Sequence, residues 1–331
     1  MTIDPRRSRP KAFPPPEFPP RKVPMFARMP PAVFPSVLGL LGLSLALKRA
    51  SIVAEVPEGL ADLVMGVVAA LWLFCLLAYG AKLVRRPAVV MEDLRILPGR
   101  AGLAAATVGS LSVAAVLGFF NAPAAQVMLV LGLMLQIVMA GLMVSSLMAS
   151  PPEGRDVTPV WHLSFVGFIV GALAAIPVGW TEVATVILWA TLPVALGIWG
   201  ISLWQLIRRI PPAPLRPLLA IHLAPASLFA SVAGLLGMPM LATGMVALAA
   251  VIAIALLVSA RWITQAGFSP LWGAFTFPLA MFASALMING WVMGGVLVTV
   301  LALGAIPAIA WNVLKMWPGG KLAAKTNAAE A

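Results

Sequence analysis

Long runs of apolar residues recur along the chain from Ala32 to Leu314, separated by short stretches that contain charged residues, proline or glycine. Each run has about the 20 residues that a helix needs to cross a hydrocarbon core of about 30 Å. The pattern predicts an all-α, polytopic membrane protein with ten transmembrane helices. Their expected ranges are 32–48, 59–83, 101–119, 123–148, 159–177, 182–206, 217–236, 239–261, 270–288 and 291–314.

The connections between these segments are unequal in length. Tight turns follow the third, seventh and ninth segments, at Asn121-Ala122, Gly237-Met238 and Asn289-Gly290, whereas the connections after even-numbered segments are longer and charged. Short turns join antiparallel neighbours, so the ten segments are expected to pair into five helical hairpins.

Proline recurs within or near the first turns of odd-numbered segments, at Pro35, Pro159, Pro225 and Pro278, although the third segment lacks it. In lipid, proline leaves a backbone carbonyl without its helical partner, and this is tolerated where the helix faces protein or a water-filled cavity. We therefore expect kinked odd-numbered helices around a central pathway, with the even-numbered helices outside them.

The composition agrees with a membrane location, since 61% of the residues are hydrophobic and 10% are charged. The net charge of +11 does not indicate a nucleic-acid partner, because the basic residues lie at the edges of the apolar runs rather than on a soluble domain. Of the 22 Lys and Arg residues, all but Lys48 and Arg49 fall on one predicted side of the membrane. By the positive-inside rule this bias predicts a bacterial-type inner-membrane protein with both termini in the cytoplasm.

Residues 1–31 contain ten prolines and seven Lys or Arg residues, with almost no periodic apolar pattern. This composition predicts a disordered cytoplasmic tail, and the first apolar run begins too far along the chain for a secretory signal. We expect three parts, namely this tail, a membrane domain at 32–314 and a cytoplasmic C-terminal tail at 315–331.

Few side chains within the apolar runs offer chemistry. The single cysteine, Cys75, and two histidines give no basis for a metal site or another cofactor. Asp62 and Glu182 fall in the first turns of their segments, where a carboxylate stabilises a helix N-terminus. Since no carboxylate lies at mid-membrane depth, the sequence favours a channel over a proton-coupled carrier or an intramembrane enzyme.

Two histidines and two arginines remain as candidates. His162 and His222 lie at equivalent points of the fifth and seventh segments, and each is followed by leucine. They are either polar groups near the inner mouth of a pore or partners in interhelical hydrogen bonds. Arg100 and Arg216 precede the third and seventh segments, where they either set the topology or give a cytoplasmic mouth a positive potential that favours anions.

Three strings carry a resemblance to a known family. They are Phe-Pro-Ser-Val-Leu-Gly-Leu at 34–40, Leu-Ala-Pro-Ala at 223–226 and Leu-Trp-Gly-Ala-Phe-Thr-Phe-Pro at 271–278. With Arg100 they resemble the tellurite-resistance/dicarboxylate transporter family, which includes the bacterial TehA proteins and the plant slow-type anion channels. The likeness covers residues 32–314, and the string at 271–278 is its most specific part.

The resemblance implies five helical hairpins in a quasi-fivefold array around a central pore, with odd-numbered helices inside, and a homotrimer in which each protomer holds its own pore. It implies that Phe277 is the aromatic residue that blocks this pore. The other candidates for lining it are Phe34, Pro35, His162, His222, Pro225, Phe275 and Pro278. The expected function is an anion channel or facilitator that conducts small anions across membrane lipid. The alternative is a proton-coupled transporter of dicarboxylates or of an oxyanion such as tellurite.

Overall fold

The computed structural model describes residues 24–54 and 58–331, apart from the side chains of residues 152 and 153. This part of the chain is built from helices and contains no strand. Its α-helices are α1 Phe34–Val53, α2 Glu58–Arg85, α3 Val89–Arg95, α4 Leu97–Leu117, α5 Ala122–Met148, α6 Phe168–Ala175, α7 Thr181–Arg208, α8 Leu223–Leu235, α9 Pro239–Val258, α10 Ala260–Ile263, α11 Thr276–Ile288, α12 Val292–Leu314 and α13 Lys321–Lys325.

Within the described residues, nine helices are long and apolar enough to cross a membrane. They correspond to every predicted segment except the fifth. In place of the fifth segment the chain forms a shorter apolar helix, His162–Ala175, which begins with a π-helical turn. The protein is therefore a multi-pass helical membrane protein, and a count of ten spans requires this shorter helix to cross the bilayer as well.

Consecutive helices form hairpins, which pair α1 with α2, α4 with α5, α6 with α7, α8 with α9 and α11 with α12. The first members of these pairs also contact one another in a closed ring, in the order α1, α4, α6, α8, α11 and back to α1. We call these five the inner helices and their hairpin partners the outer helices. The pairing expected from the unequal connections is thus present in the described chain.

Irregular backbone precedes four of the five inner helices. A 3₁₀-helical stretch leads into α1 (Pro31–Val33), α8 (Ala213–His222) and α11 (Pro270–Phe275), and the π-helical turn His162–Val166 leads towards α6. Proline accounts for the first three cases, because a proline in the first turn of each α-helix has no N–H to donate to the preceding turn. These prolines are Pro35, Pro225 and Pro278.

The third predicted segment begins earlier than expected. Its helix, α4, starts at Leu97 rather than at residue 101, and Pro98 therefore lies in its first turn. The apparent lack of proline in the third segment came from placing its start too late. Proline is favoured in a first turn, where the missing N–H needs no helical partner, and α4 accordingly remains regular throughout.

The π-helical turn before α6 has a partner on the neighbouring hairpin. Widening the helix at His162–Val166 frees backbone carbonyls from their usual helical bonds. The side-chain amide of Gln136, on α5, donates to the carbonyls of Leu163 and Ser164 over 2.8 and 2.9 Å. Gly167 leaves room for this amide, since a Cβ there would lie 2.9 Å from Gln136 Nε2. One buried glutamine thus stabilises irregular backbone inside a membrane domain.

The structure differs from the predicted tails where it describes them. Ala27 and Met29 were expected in the disordered segment 1–31, yet both are fully buried. The ammonium group of Lys82 donates to the Met29 carbonyl over 3.0 Å. Residues 1–23 of the predicted tail lie outside the described residues.

The C-terminal segment also packs against the helices rather than leaving them. The carboxylate of Asp93 is fully buried and accepts hydrogen bonds from Lys82 over 2.9 Å and from the backbone N–H of Ala329 over 2.8 Å. The backbone N–H of Ala331 donates to the Ala27 carbonyl over 3.0 Å. A buried carboxylate needs such partners, so Asp93 connects α2, α3 and the C-terminal segment.

Candidate functional site

Three cavities follow one another along the inner helices. The first lies at the N-terminal ends of these helices, the second near their middle, and the third, which we call the outer cavity, near their C-terminal ends. Representative lining residues are Pro35, Ala101, Leu163, Ile221 and Ala274 for the first; Val108, Val166, Leu228 and Phe277 for the second; and Leu45, Ala115, Leu173, Leu235 and Ser284 for the third. Along each inner helix, residues near the N-terminal end line the first cavity and residues near the C-terminal end line the third. The five inner helices are therefore parallel to one another along the line of cavities.

Phe277 lies between the first two cavities. It lines both of them and is only 3% exposed. These cavities have volumes of about 30 and 20 Å³, whereas the outer cavity has about 240 Å³. The smaller two have room for about one or two water molecules each. The two small cavities therefore meet at Phe277, together with Leu163, Ile221 and Ala224.

The position of this ring depends on contacts between α1 and α11. Gly42 of α1 faces the ring, and a Cβ built on Gly42 would lie 2.9 Å from Phe277 Cδ2. One residue earlier in α11, the hydroxyl of Thr276 lies 2.7 Å from the Gly273 carbonyl and 3.2 Å from the Pro35 carbonyl next to α1. Gly39 leaves space for the Thr276 side chain, which a Cβ at that position would occupy. Two glycines of α1 thus allow the helix that carries Phe277 to approach closely.

The two histidines meet each other. Nε2 of His162 lies 3.0 Å from Nδ1 of His222, although the residues are 60 positions apart. His162 is 2% exposed and lines the second cavity, whereas His222 lines none of the three. The backbone carbonyl of His222 accepts a hydrogen bond from Trp199 of the outer helix α7 over 3.2 Å. Both histidines therefore take part in a hydrogen bond between distant segments, and only His162 also lines a cavity.

The other predicted lining residues divide into two groups. Three prolines line a cavity, with Pro35 and Pro278 at the first and Pro225 at the second. Two phenylalanines do not. Phe34 packs edge-on against Tyr79 of α2, with ring centroids 6.2 Å apart, and Phe275 packs against Trp272 at 5.7 Å. Both rings lie away from the line of cavities, because on a helix residues next to a pore-facing position point elsewhere.

Arg100 and Arg216 line none of the three cavities. Nε of Arg100 donates to the Leu94 carbonyl over 2.6 Å. Arg216 donates to the Trp262 carbonyl over 3.1 Å, and its guanidinium group stacks on the Trp262 ring at 4.3 Å. Both arginines thus join inner helices to neighbouring connections. Across residues 24–54 and 58–331 neither has a carboxylate within salt-bridge distance, so their positive charges stay uncompensated.

The outer cavity contains a further arginine. Helix α1 continues to Val53, beyond the predicted end at residue 48, and places half-buried Arg49 on the cavity wall. Lys48, its neighbour, points to α2, where its ammonium group lies 2.9 Å from the carboxylate of Asp62. Asp62 therefore forms an ion pair that joins α2 to α1.

The comparison with protein families decides the identity of this arrangement. The profile of the SLAC1 family, described as voltage-dependent anion channel, matches residues 28–317. The chain belongs to this family. None of the curated proteins compared with the chain matches it. Membership in the SLAC1 family, together with the many apolar helices, makes the protein a multi-pass membrane channel or transporter for anions.

Some functional candidates of this SLAC1-family protein were not found from the sequence. Arg49 was noted only as an exception to the charge bias, and that exception was the signal available. Ser284, on the facing helix α11, gave no signal, because one serine in an apolar run is common. Among the described residues, no group of three or more His, Cys, Asp or Glu side chains could hold a metal ion.

Proposed function

We propose that the protein is an anion channel or facilitator that conducts small anions through a pore within each protomer. The proposed pore follows the three cavities, and the ring of Phe277 closes it. One observation carries the proposal: in a SLAC1-family chain, the buried ring of Phe277 lines both of the two smallest cavities along the inner helices. A phenyl ring across an apolar constriction excludes water and therefore ions.

Electrostatics favours anions in this pathway. The sequence of the inner helices contains no Asp or Glu, so no fixed negative charge repels an anion. Arg100 and Arg216 hold positive charge at the end where the inner helices begin, and helix dipoles place partial positive charge at the same end. Weak attraction by such fields, rather than tight binding, lets an ion enter and leave quickly.

We further propose ten spans in five hairpins with quasi-fivefold symmetry, both termini in the cytoplasm, a bacterial inner-membrane location and a homotrimer. The bias of Lys and Arg towards one side supports the orientation. The outer helices expose apolar side chains that suit lipid or a neighbouring protomer, such as Val130, Leu203 and Val251. The short helix His162–Ala175, in place of the fifth predicted segment, would be the tenth span.

A second candidate is a proton-coupled transporter of dicarboxylates or of oxyanions such as tellurite. The hydrogen-bonded pair His162 and His222 favours it, because His162 lines the second cavity and imidazoles carry protons in membrane transporters. The inner helices offer no carboxylate to complete a proton path. We therefore rank this function second.

Flux in proteoliposomes tests both functions with the purified full-length chain. We expect chloride and nitrate to move down their gradients, with no flux of potassium beyond that of protein-free vesicles. Anion accumulation against a gradient that collapses with a protonophore would replace the channel with the coupled transporter. Vesicles that contain folded protein and show no anion flux under either condition would contradict both functions.

A further inference from the structure

Two adjacent basic residues, Lys48 and Arg49, lie near the end of α1. They are the two Lys or Arg residues that the sequence places on the predicted outer side of the membrane. Lys48 is accounted for by its neighbours on α2. Its ammonium group lies 2.9 Å from the Asp62 carboxylate and 3.7 Å from that of Glu58. Its positive charge is therefore balanced locally, and its presence on this side has a structural explanation.

Arg49 has no such explanation. Within residues 24–54 and 58–331, its guanidinium group makes no salt bridge, and no side-chain hydrogen bond joins it to another residue. The side chain lines the outer cavity. A half-buried cation on a membrane-spanning helix, with no carboxylate partner among the described residues, is costly, and such residues mark ion pathways in membrane proteins.

A second polar group faces the same cavity from α11. Ser284 is 5% exposed, and its hydroxyl has no hydrogen-bond partner among the described residues. Buried hydroxyl groups almost always have a partner, so this one points to a ligand. Ser227 and Ser231 of α8 instead donate to carbonyls of their own helix, whereas Ser36 and Ser164 also lack a partner among the described residues but line none of the three cavities.

The chemistry of the outer cavity selects the charge of that ligand. Arg49 can only donate hydrogen bonds, and Ser284 can donate one. Apart from these two residues the described lining is apolar, with Leu45, Phe119 and Met281 among its members, and none of the described lining residues is a carboxylate. The cavity offers donors and one positive charge without a counter-charge, which suits a single negative charge.

We propose that the outer cavity is an anion-binding site in which the guanidinium group of Arg49 and the hydroxyl of Ser284 hold one small inorganic anion such as chloride or nitrate. A volume of about 240 Å³ admits such an anion with part of its hydration shell. A dicarboxylate would bring a second negative charge with no cation to meet it. This inference rests on the proposed pore, at whose outer mouth the site concentrates anions.

Binding can be measured without transport. Chloride or nitrate replaces gluconate at constant ionic strength, and the melting temperature of the purified full-length chain in detergent is followed, since a ligand of the folded state raises it. We expect a rise for the wild type and for Arg49→Lys, and none for Arg49→Gln. Arg49→Gln should melt no lower than wild type in gluconate, because it removes an uncompensated cation. A chloride-dependent rise in Arg49→Gln equal to that of wild type would overturn the site.

Flux links the site to conduction. One charge-assisted hydrogen bond changes affinity by about tenfold or more, so Arg49→Gln should raise the half-saturating chloride concentration by about that factor, and Ser284→Ala by less. The matched control is Lys48→Gln/Asp62→Asn, which removes an adjacent ion pair at constant net charge and should leave the value unchanged. An unchanged half-saturating chloride concentration in Arg49→Gln would contradict the binding site but not the proposed channel. Absence of anion flux in the wild-type protein would contradict the proposed channel, and the melting experiment would then decide on the site.

Discussion

The five outer helices have a higher mean hydropathy than any of the four long inner helices, although they are much less buried within the chain. In the most apolar stretch of each helix, 17–28% of residues are buried for the outer helices and 61–89% for the inner ones. A water-soluble helical protein has the opposite relation. The reason is that lipid is the solvent here, so the exposed surface has to be apolar while the interior is free to carry polar groups.

The inner helices use that freedom. They contain buried hydroxyl groups among small side chains, which let helices approach and satisfy backbone carbonyls. The hydroxyl groups that donate to backbone carbonyls belong to Ser44, Ser110, Ser112, Ser227, Ser231 and Thr276. Ser36 and Ser284 are buried as well. Glycine has the same effect at Gly39 and Gly42, where α11 lies against α1. Substitutions on the inner helices should therefore change conduction or stability, whereas substitutions at exposed positions of the outer helices should not.

The largest effect is expected at Phe277. Phe277→Ala removes the ring that lines both small cavities, and anion conductance should rise by at least about tenfold, which corresponds to a barrier lowered by about 1.4 kcal/mol. Phe277 has cavities on two sides, so the variant should lose less than the ~3–5 kcal/mol typical of phenylalanine in a closed core. Chloride current in planar bilayers and the melting temperature are the measurements.

Phe275→Ala is the control for Phe277→Ala, since it removes the same ring two residues away and outside the cavities. Its conductance should equal that of wild type. A well-folded Phe277→Ala protein with wild-type conductance would show that the ring does not close the pore. Loss of yield without any gain in current would make Phe277 an ordinary core residue.

A smaller gain in conductance is expected from the helix that faces the ring. In Gly42→Ala the new Cβ would lie 2.9 Å from Phe277 Cδ2 and 3.1 Å from the Cβ of Ala280, so the ring has to shift. We expect a conductance between those of wild type and Phe277→Ala. Gly66→Ala on the outer helix α2 is the control, since nothing lies within 4 Å of its Cβ. Equal currents from the two glycine variants would contradict the proposed contact.

The π-helical turn gives a test of stability. Gln136→Ala removes two hydrogen bonds to freed carbonyls and one from Thr107, whose hydroxyl lies 2.6 Å from Gln136 Oε1. We expect a loss of about 1–3 kcal/mol in the free energy of unfolding. Gln126→Ala, on the same helix, removes a single bond of 3.3 Å and should cost less than about 1 kcal/mol. Equal melting temperatures for the two variants would remove the assigned role of Gln136.

The smallest effect is expected on an outer helix. A Cβ added at Gly244 of α9 meets no atom within 4 Å, and helix propensity favours alanine by about 1 kcal/mol. Gly244→Ala should keep the wild-type melting temperature or raise it slightly. On the inner side, Gly39→Ala places its Cβ in the Thr276 side chain and should lower the yield of folded protein. Similar yields for both variants would remove the distinction between the two sets of helices.

Much of the fold could be predicted because its signals are local. Apolar length located nine spans, short turns gave the hairpins, and prolines near helix starts identified the inner helices. Errors arose where the signal was weak, as at the start of α4, where Pro98, three residues before the predicted boundary, was left outside the helix. The π-helical turn could not be predicted, because it depends on Gln136, which lies on a different hairpin.

Side-chain direction was the main gap at the candidate site. A helix turns by about 100° per residue, so an error of one residue changes which face a side chain occupies. Phe34 is adjacent to cavity-lining Pro35, and Phe275 is two residues from Phe277. Their rings nevertheless pack against Tyr79 and Trp272. No local pattern distinguishes such rings from Phe277, and only the resemblance of the string at 271–278 did so.

The sequence by itself determined that this chain lies in a membrane, how its helices pair and which of them are inner. These features depend on the length of apolar runs, on short turns and on prolines, whose effects on the backbone are local in sequence. The tertiary structure decided which distant residues meet. It brought His162 to His222 and placed Arg49 and Ser284 on one cavity, although 60 residues separate the first pair. Contacts of that kind depend on the relative rotation of packed helices, which side-chain packing across the whole domain determines.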